Sequence, residues 1–177
     1  MLSPILALDI ATQSGWAFGP PDATPRNGSI RFAREGASQA AVWAGCYSWL
    51  IDFVAVNPEI KLVVFEAPMN PGHMQGKTNI TTLRTLIGLA AIVEAALYGK
   101  GFDIREARVS DVRAFFLGTT RIKSAEAKAA TFARCVQLGF KPVSLDASDA
   151  LALWCYQTSI ISPEHGVKFM PLFGRGF

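Results

Sequence analysis

Four carboxylates occupy positions where an acid is costly or conspicuous. Asp9 ends the apolar run of "PILALDIAT" and is followed directly by Ile10. A short segment that is apolar at every position reads as a strand buried on both faces. An unpaired carboxylate there costs several kcal/mol, by order of magnitude. Glu66 ends a second such run, "IKLVVFEAP". The stretch "LDASDALAL" adds Asp146 and Asp149, spaced i and i+3 on one helix face, in a first turn whose dipole tolerates negative charge.

Taken singly, these acids have ordinary readings. Asp146 reads as an N-cap, Asp149 as a first-turn surface acid and Glu66 as a solvated strand end. Asp9 is harder to dismiss, because both of its neighbours are apolar. Taken together, they form an oxygen-only donor set, which suits Mg²⁺ or Mn²⁺ rather than zinc. Two such ions about 4 Å apart can clamp a phosphodiester, activate a water and stabilise the leaving oxygen. Four converging acids without a cation would repel one another strongly.

The elements that must position these groups can be read from periodicity and punctuation. Residues 5–11 read as a strand, and Gly15 opens a second strand, "GWAFG". Residues 20–28 read as a Pro- and Gly-containing loop, and 29–33 as a third strand, giving an antiparallel meander. Residues 38–54 carry apolar groups at helical spacing and Pro58 closes that helix. A strand at 60–68 and a loop holding Pro71, Gly72 and Gly76 follow. A long helix at 78–98 stops at Gly99 and Gly101, and an edge strand spans 102–109. Ser110 is expected to cap a short helix through Leu117, and Ser124 a longer one through Leu138. The last helix begins near Asp146 and continues through Gln157. Strands separated by helices favour parallel pairing, and the opening meander does not. The expectation is an α/β domain over residues 1–160: a mixed five-stranded sheet, first three strands antiparallel, helices on both faces. This is the architecture of ribonuclease H-like domains, and chain order alone also fits other α/β folds. A right-handed crossover would set the Asp9 and Glu66 strands side by side. Residues 161–177 form a tail that folds back over the domain or covers a partner.

Composition bounds the function classes. The 177 residues, half of them hydrophobic and 18% charged, suit one folded domain with a sizeable core. Three cysteines without CxxC spacing argue against a disulfide framework or a zinc site, and isolated His73 and His165 argue against a histidine-rich metal centre. The opening lacks a basic start and is broken by Asp9, which speaks against a secretory signal; no apolar run reads as long enough to cross a bilayer. A cytoplasmic protein without membrane contact is expected. Seventeen Lys and Arg face 14 Asp and Glu. If a metal neutralises the four acids above, the 17 bases face 10 remaining acids, a net of +7, which suits a polyanionic substrate.

In order and spacing, "ILALDIATQSGWAFG", "VVFEAP" and "DASDALAL" resemble the three acidic motifs of RuvC-type Holliday-junction resolvases, over about residues 5–157. The DxxDA-plus-apolar helix is the most specific part of the likeness. The resemblance implies that Asp9, Glu66, Asp146 and Asp149 are catalytic metal ligands for Mg²⁺, with Mn²⁺ able to substitute. It implies hydrolysis of DNA at four-way or branched junctions, leaving 5′-phosphate ends, by a homodimer with one site for each of two strands. "VSDVRAFFLG" resembles the segment that carries a lysine near the scissile phosphate, and Arg113 occupies that position. "KSAEAKAATFAR" offers Lys123, Lys128 and Arg134, of which Lys128 matches a second phosphate-binding lysine. Each of these side chains also reads as part of a solvated helix face.

Two features depart from the family pattern. The loop "PMNPGHMQGKTN" lacks the family's aromatic wedge, leaving Met69, His73 or Met74 to contact the junction, although His73 reads equally as a plain loop histidine. Asp9 is followed by Ile-Ala rather than Pro-Gly, so the turn after it differs. The helix at 78–98 is apolar over more than one face, which suits a dimer contact as well as core burial. Two readings compete with the resolvase: a ribonuclease H-like nuclease on RNA–DNA hybrids or flaps, and a catalytically weak DNA-binding module.

Overall fold

The computed structural model describes residues 2–68 and 79–171. Its strands are β1 (Ile5–Asp9), β2 (Gln13–Gly19), β3 (Arg26–Arg31), β4 (Leu62–Glu66) and β5 (Asp103–Ala107). They form one sheet in the order β3-β2-β1-β4-β5. The first three pair antiparallel, and β4 and β5 join parallel to β1, giving the mixed sheet expected. The meander loop is shorter than expected, because β3 starts at Arg26, where the β2 pairing recruits Asn27 and Gly28.

Strand alternation sorts the core into two layers. Leu6, Leu8, Phe18, Val63 and Phe65 face α1 (Gln39–Val56) and α2 (Ile80–Leu97). Ile5, Ala7, Ala17, Leu62 and Val64 face the other side. There they meet α3 (Val109–Leu117), α4 (Ser124–Gln137) and α5 (Leu145–Ile161). Helix α5 is the central support of that layer: Ala150 to Cys155 are all buried, and Trp154 Nε1 donates to the Gly19 carbonyl at 3.0 Å.

By length and composition α1 and α2 are both long and apolar enough to cross a bilayer, contrary to the sequence expectation. Their mean hydropathy is 1.2 and 1.6. Both lie on the same sheet face and on each other. Trp43 of α1 crosses α2 at Gly88, where a methyl group would fall 2.4 Å from the indole, and donates to the Thr85 carbonyl.

Three cap expectations change. Ser38, not singled out as a cap in the sequence, caps α1 by accepting from the Ala41 N–H. Ser110 and Ser124 lie inside the first turns of α3 and α4, behind Arg108 and Lys123, and no side chain caps either helix. In α5 the cap is Ser144, which accepts from the Ala147 N–H at 3.0 Å, so Asp146 is free of that duty. The division at residue 160 falls inside α5. After it, α6 (Pro163–Gly166) and a 3₁₀ turn (Val167–Phe169) bring Phe169 into the core against Trp154 and Phe140. Residues 162–171 therefore pack as part of the domain. The three cysteines are buried and free, and burial pushes the thiols of Cys46 and Cys135 up to about 12.

Candidate active site

The site lies at the carboxyl ends of the two central parallel strands. Asp9 and Glu66 are the last residues of β1 and β4, next along from the paired Leu8 and Phe65. Side chains alternate along a strand, so Asp9 shares the face of Ile5 and Ala7, and Glu66 that of Leu62 and Val64. Both therefore point toward α5. On the other side of Asp9 its partner in β2 is Gly15. The row Glu66–Asp9–Gly15 forms the floor beneath the first turn of α5, which carries Asp146 and Asp149.

Gly15 sets how closely that helix can approach. A methyl group on Gly15 would lie 1.8 Å from the Asp146 carbonyl oxygen and 2.8 Å from the Ala147 nitrogen. Only hydrogen leaves room for the helix backbone. The turn before it is closed by Ser14, which is 1% exposed. Its Oγ accepts from the Ala11 N–H at 2.9 Å and donates to the Ala11 carbonyl at 2.8 Å. The sequence reading took Gly15 only as the start of a strand and passed over Ser14, although a glycine inside a strand signals close backbone approach.

Asp9, Glu66 and Asp149 line one cleft of about 940 Å³, together with Arg113 of α3 and Lys128 of α4. Asp146 stands at its edge, tied to Lys128: the ammonium lies 2.9 Å from Asp146 Oδ1 and 3.4 Å from Asp149 Oδ2. Lys123 is exposed at the start of α4 and does not line the cleft. Met69, His73 and Met74 lie outside the described residues. His165 is engaged at the start of α6, with Nδ1 2.9 Å from Ser162 Oγ.

The electrostatics follow from this crowding. Burial pushes the Asp9 carboxyl well up, and the charges of Glu66 and Asp149 push it further, against the pull of Lys128. Burial, then the Asp149 charge, raises Glu66 to about 7, while Arg113 and Lys128 work against the rise. Burial also raises Asp149, opposed chiefly by Lys128. Desolvation works to lower the Lys128 ammonium, but its bond to Asp146 and the charges of Asp149 and Asp9 outweigh this and raise it.

Such a set of acids fits a hard divalent cation. Its donors are all oxygens, and burial together with the neighbouring negative charges raises the Asp9, Glu66 and Asp149 carboxyls, a cost that a bound cation would relieve. Among the described residues, no three Asp, Glu, His or Cys side chains form a ready-made cation cage. The acids are instead divided, with Lys128 between Asp146 and Asp149.

A stability prediction follows for the metal-free protein. Glu66 binds its proton more tightly folded, at about 7, than at its ordinary value of 4.5. The unfolded chain therefore binds fewer protons in that window, and stability falls as pH rises from about 4.5 to 7, by up to about 3 kcal/mol for this carboxyl. Asp9 and Asp149 act in the same direction. Thermal melts in EDTA should show Tm dropping across the window, and a flat profile would count against it.

No protein-family model and no curated relative matches the sequence. Solved structures do. RuvC of Thermus thermophilus superposes with a TM-score of 0.63 at 14% identity, over 92% of this chain and 96% of that one. The same organism's RuvC in complex with Holliday junction substrate gives 0.65 at 13% identity, with the same coverage. The chain has the RuvC fold. The yeast mitochondrial Holliday junction resolvase Ydc2 is also similar, with a TM-score of 0.58 at 10% identity, over 94% of this chain and 84% of that one. Within the RuvC fold as this chain builds it, the three sequence motifs correspond to β1, β4 and the start of α5, the elements that converge on the cleft.

Proposed function

We propose that the protein is a metal-dependent endonuclease that resolves four-way or branched DNA junctions by paired phosphodiester hydrolysis. The observation that carries this reading is the meeting of Asp9, Glu66 and Asp149 in one cleft with Arg113 and Lys128. The likeness in fold to junction-bound RuvC supports the choice of branched DNA. Mg²⁺, or Mn²⁺ in its place, would supply water activation and stabilisation of the leaving oxygen when held by Asp9, Glu66, Asp149 and Asp146.

The chain's own residues do the rest. Strands β1 and β4 hold two of the acids on a rigid sheet, and Ser144 and Gly15 fix the α5 turn that carries the others. Arg113 sits beside the acids, where its guanidinium can hold a phosphate oxygen bidentately. Lys123, exposed at the start of α4, extends the positive track toward incoming DNA.

The outer face of α2 supports a homodimer. Ile80 is 76% exposed and Ile87 46%, and Tyr98 just beyond the helix is 85% exposed. Exposed Tyr47 of α1 adds to the apolar surface on this side of the sheet. A second copy of the chain is the occupant of this face, placing a second cleft for the second strand. Ile87→Asp should shift the protein toward monomer in sedimentation, and turn paired nicks into single ones. An unchanged oligomeric state would contradict this use of the face.

The substrate reading is tested with a labelled four-way junction, a linear duplex and an RNA–DNA hybrid, each in Mg²⁺. Symmetric nicks confined to the junction are expected. Preferential hybrid cleavage would replace the reading with a ribonuclease. Binding without cleavage, unchanged by Asp146→Asn, would reduce the protein to a DNA-binding module.

A further inference from the structure

Lys128 does more in this cleft than extend a positive surface. It lies on α4, one turn before buried Thr131, and its ammonium reaches both acids of the α5 pair, at 2.9 Å and 3.4 Å. The side chain is 41% exposed and so can swing out, whereas Asp146 and Asp149 are 22% and 20% exposed. Their helix is pinned by the Ser144 cap and by the contact with Gly15. The mobile partner in this triad is therefore the cation. Asp9 and Glu66 form no salt bridge among the described residues. The acids are thus sorted into a pair without a direct cationic partner on the sheet and a helical pair already bridged by a positive charge.

We infer that Lys128 is a built-in counter-cation occupying the place a second metal ion would take between Asp146 and Asp149. This rests on the metal-dependent reading above. The protein at rest then takes one divalent ion per chain, at Asp9, Glu66 and the free edge of Asp149. A second enters only as the ammonium leaves, which incoming DNA phosphate can induce by offering Lys128 another anion. A second ion and the ammonium compete for the same oxygens, because both need direct contact with the Asp146 and Asp149 carboxylates that Lys128 now bridges.

Mn²⁺ binding to the DNA-free protein, counted by calorimetry and by loss of the free-ion paramagnetic resonance signal, tests this without any activity measurement. Wild type should bind one Mn²⁺ per chain in the tighter phase. Lys128→Gln should bind two, with the second at least about tenfold tighter than in wild type. A wild type that binds two equally tight ions, or a Lys128→Gln protein unchanged in number and affinity, would overturn the inference alone. No Mn²⁺ binding to either protein would overturn the metal-dependent reading beneath it. Should the variant fail to fold, the wild type still decides. Reductive methylation of Lys128, followed by mass spectrometry, should accelerate at Mn²⁺ concentrations above those filling the first site. A rate indifferent to Mn²⁺ would contradict the exchange.

Discussion

Asp9→Asn is expected to lower junction cleavage by at least about a thousandfold while junction binding stays within a few-fold of wild type. The substitution keeps shape and removes one negative charge from the most crowded carboxylate of the site. Asp9 sits between Glu66 on β4 and Gly15 on β2, facing α5, so no other acid can take its place on the central strand. The amide oxygen is a weaker cation ligand, and loss of an anionic donor would weaken the hold on the proposed metal. Binding should survive because Arg113 and Lys123, the basic groups proposed to contact DNA, are left in place. A third effect separates this variant from a merely damaged protein. Burial and the charges of Glu66 and Asp149 disfavour ionised Asp9 in the metal-free fold. Asp9→Asn should therefore hold or raise Tm in EDTA at pH 7, the trade of stability for activity common at catalytic sites. Single-turnover cleavage, gel-shift titration and a thermal melt on one preparation check all three. Lost cleavage with a large fall in Tm would contradict the assignment.

Gly15→Ala is expected to destabilise the protein by more than about 2 kcal/mol and to cut cleavage by about a hundredfold in the fraction that remains folded. The new methyl would meet backbone on α5, at 1.8 Å from the Asp146 carbonyl oxygen and 2.3 Å from its carbon. Backbone atoms cannot rotate aside as a side chain can. Either α5 lifts from the sheet, taking Asp146 and Asp149 with it, or β2 shifts beside Asp9. Gly28→Ala serves as the comparison. Its methyl would meet the Trp16 ring at 2.5 Å, a side chain outside the cleft. That variant should lose stability yet keep the cleavage rate of its folded fraction. Equal losses of rate in the two variants would remove Gly15 from the positioning machinery.

These residues also mark what the sequence could and could not disclose. The apolar runs ending on Asp9 and Glu66 were legible because an unbroken apolar run and a terminal charge are local signals. Their side-by-side placement followed from the crossover rule and is realised in the β1–β4 pairing. The turn after Asp9 was opaque. "IATQSG" carries no Pro-Gly turn, and the closure lies in the reciprocal bonds of Ser14 with Ala11, whose geometry the sequence does not display. Caps failed for a similar reason. Ser110 and Ser124 fall inside their helices, and Ser144 and Asp146 both stand at the start of α5, so which residue can cap depends on where the chain enters the helix. In α5 the entry gives the cap to Ser144 and leaves Asp146 to hold Lys128. That ion pair joins residues from two helices, a tertiary fact no local pattern encodes.

These acids are proposed to make a metal-dependent junction nuclease. The most direct measurement is cleavage of a mobile-core four-way junction, labelled on each strand in turn, with Mg²⁺ or with EDTA. Nicks on two opposed strands at symmetric positions are expected in Mg²⁺, with ends that DNA ligase reseals directly, and none in EDTA. Cleavage that persists in EDTA, or an intact junction in both Mg²⁺ and Mn²⁺, would contradict this proposal.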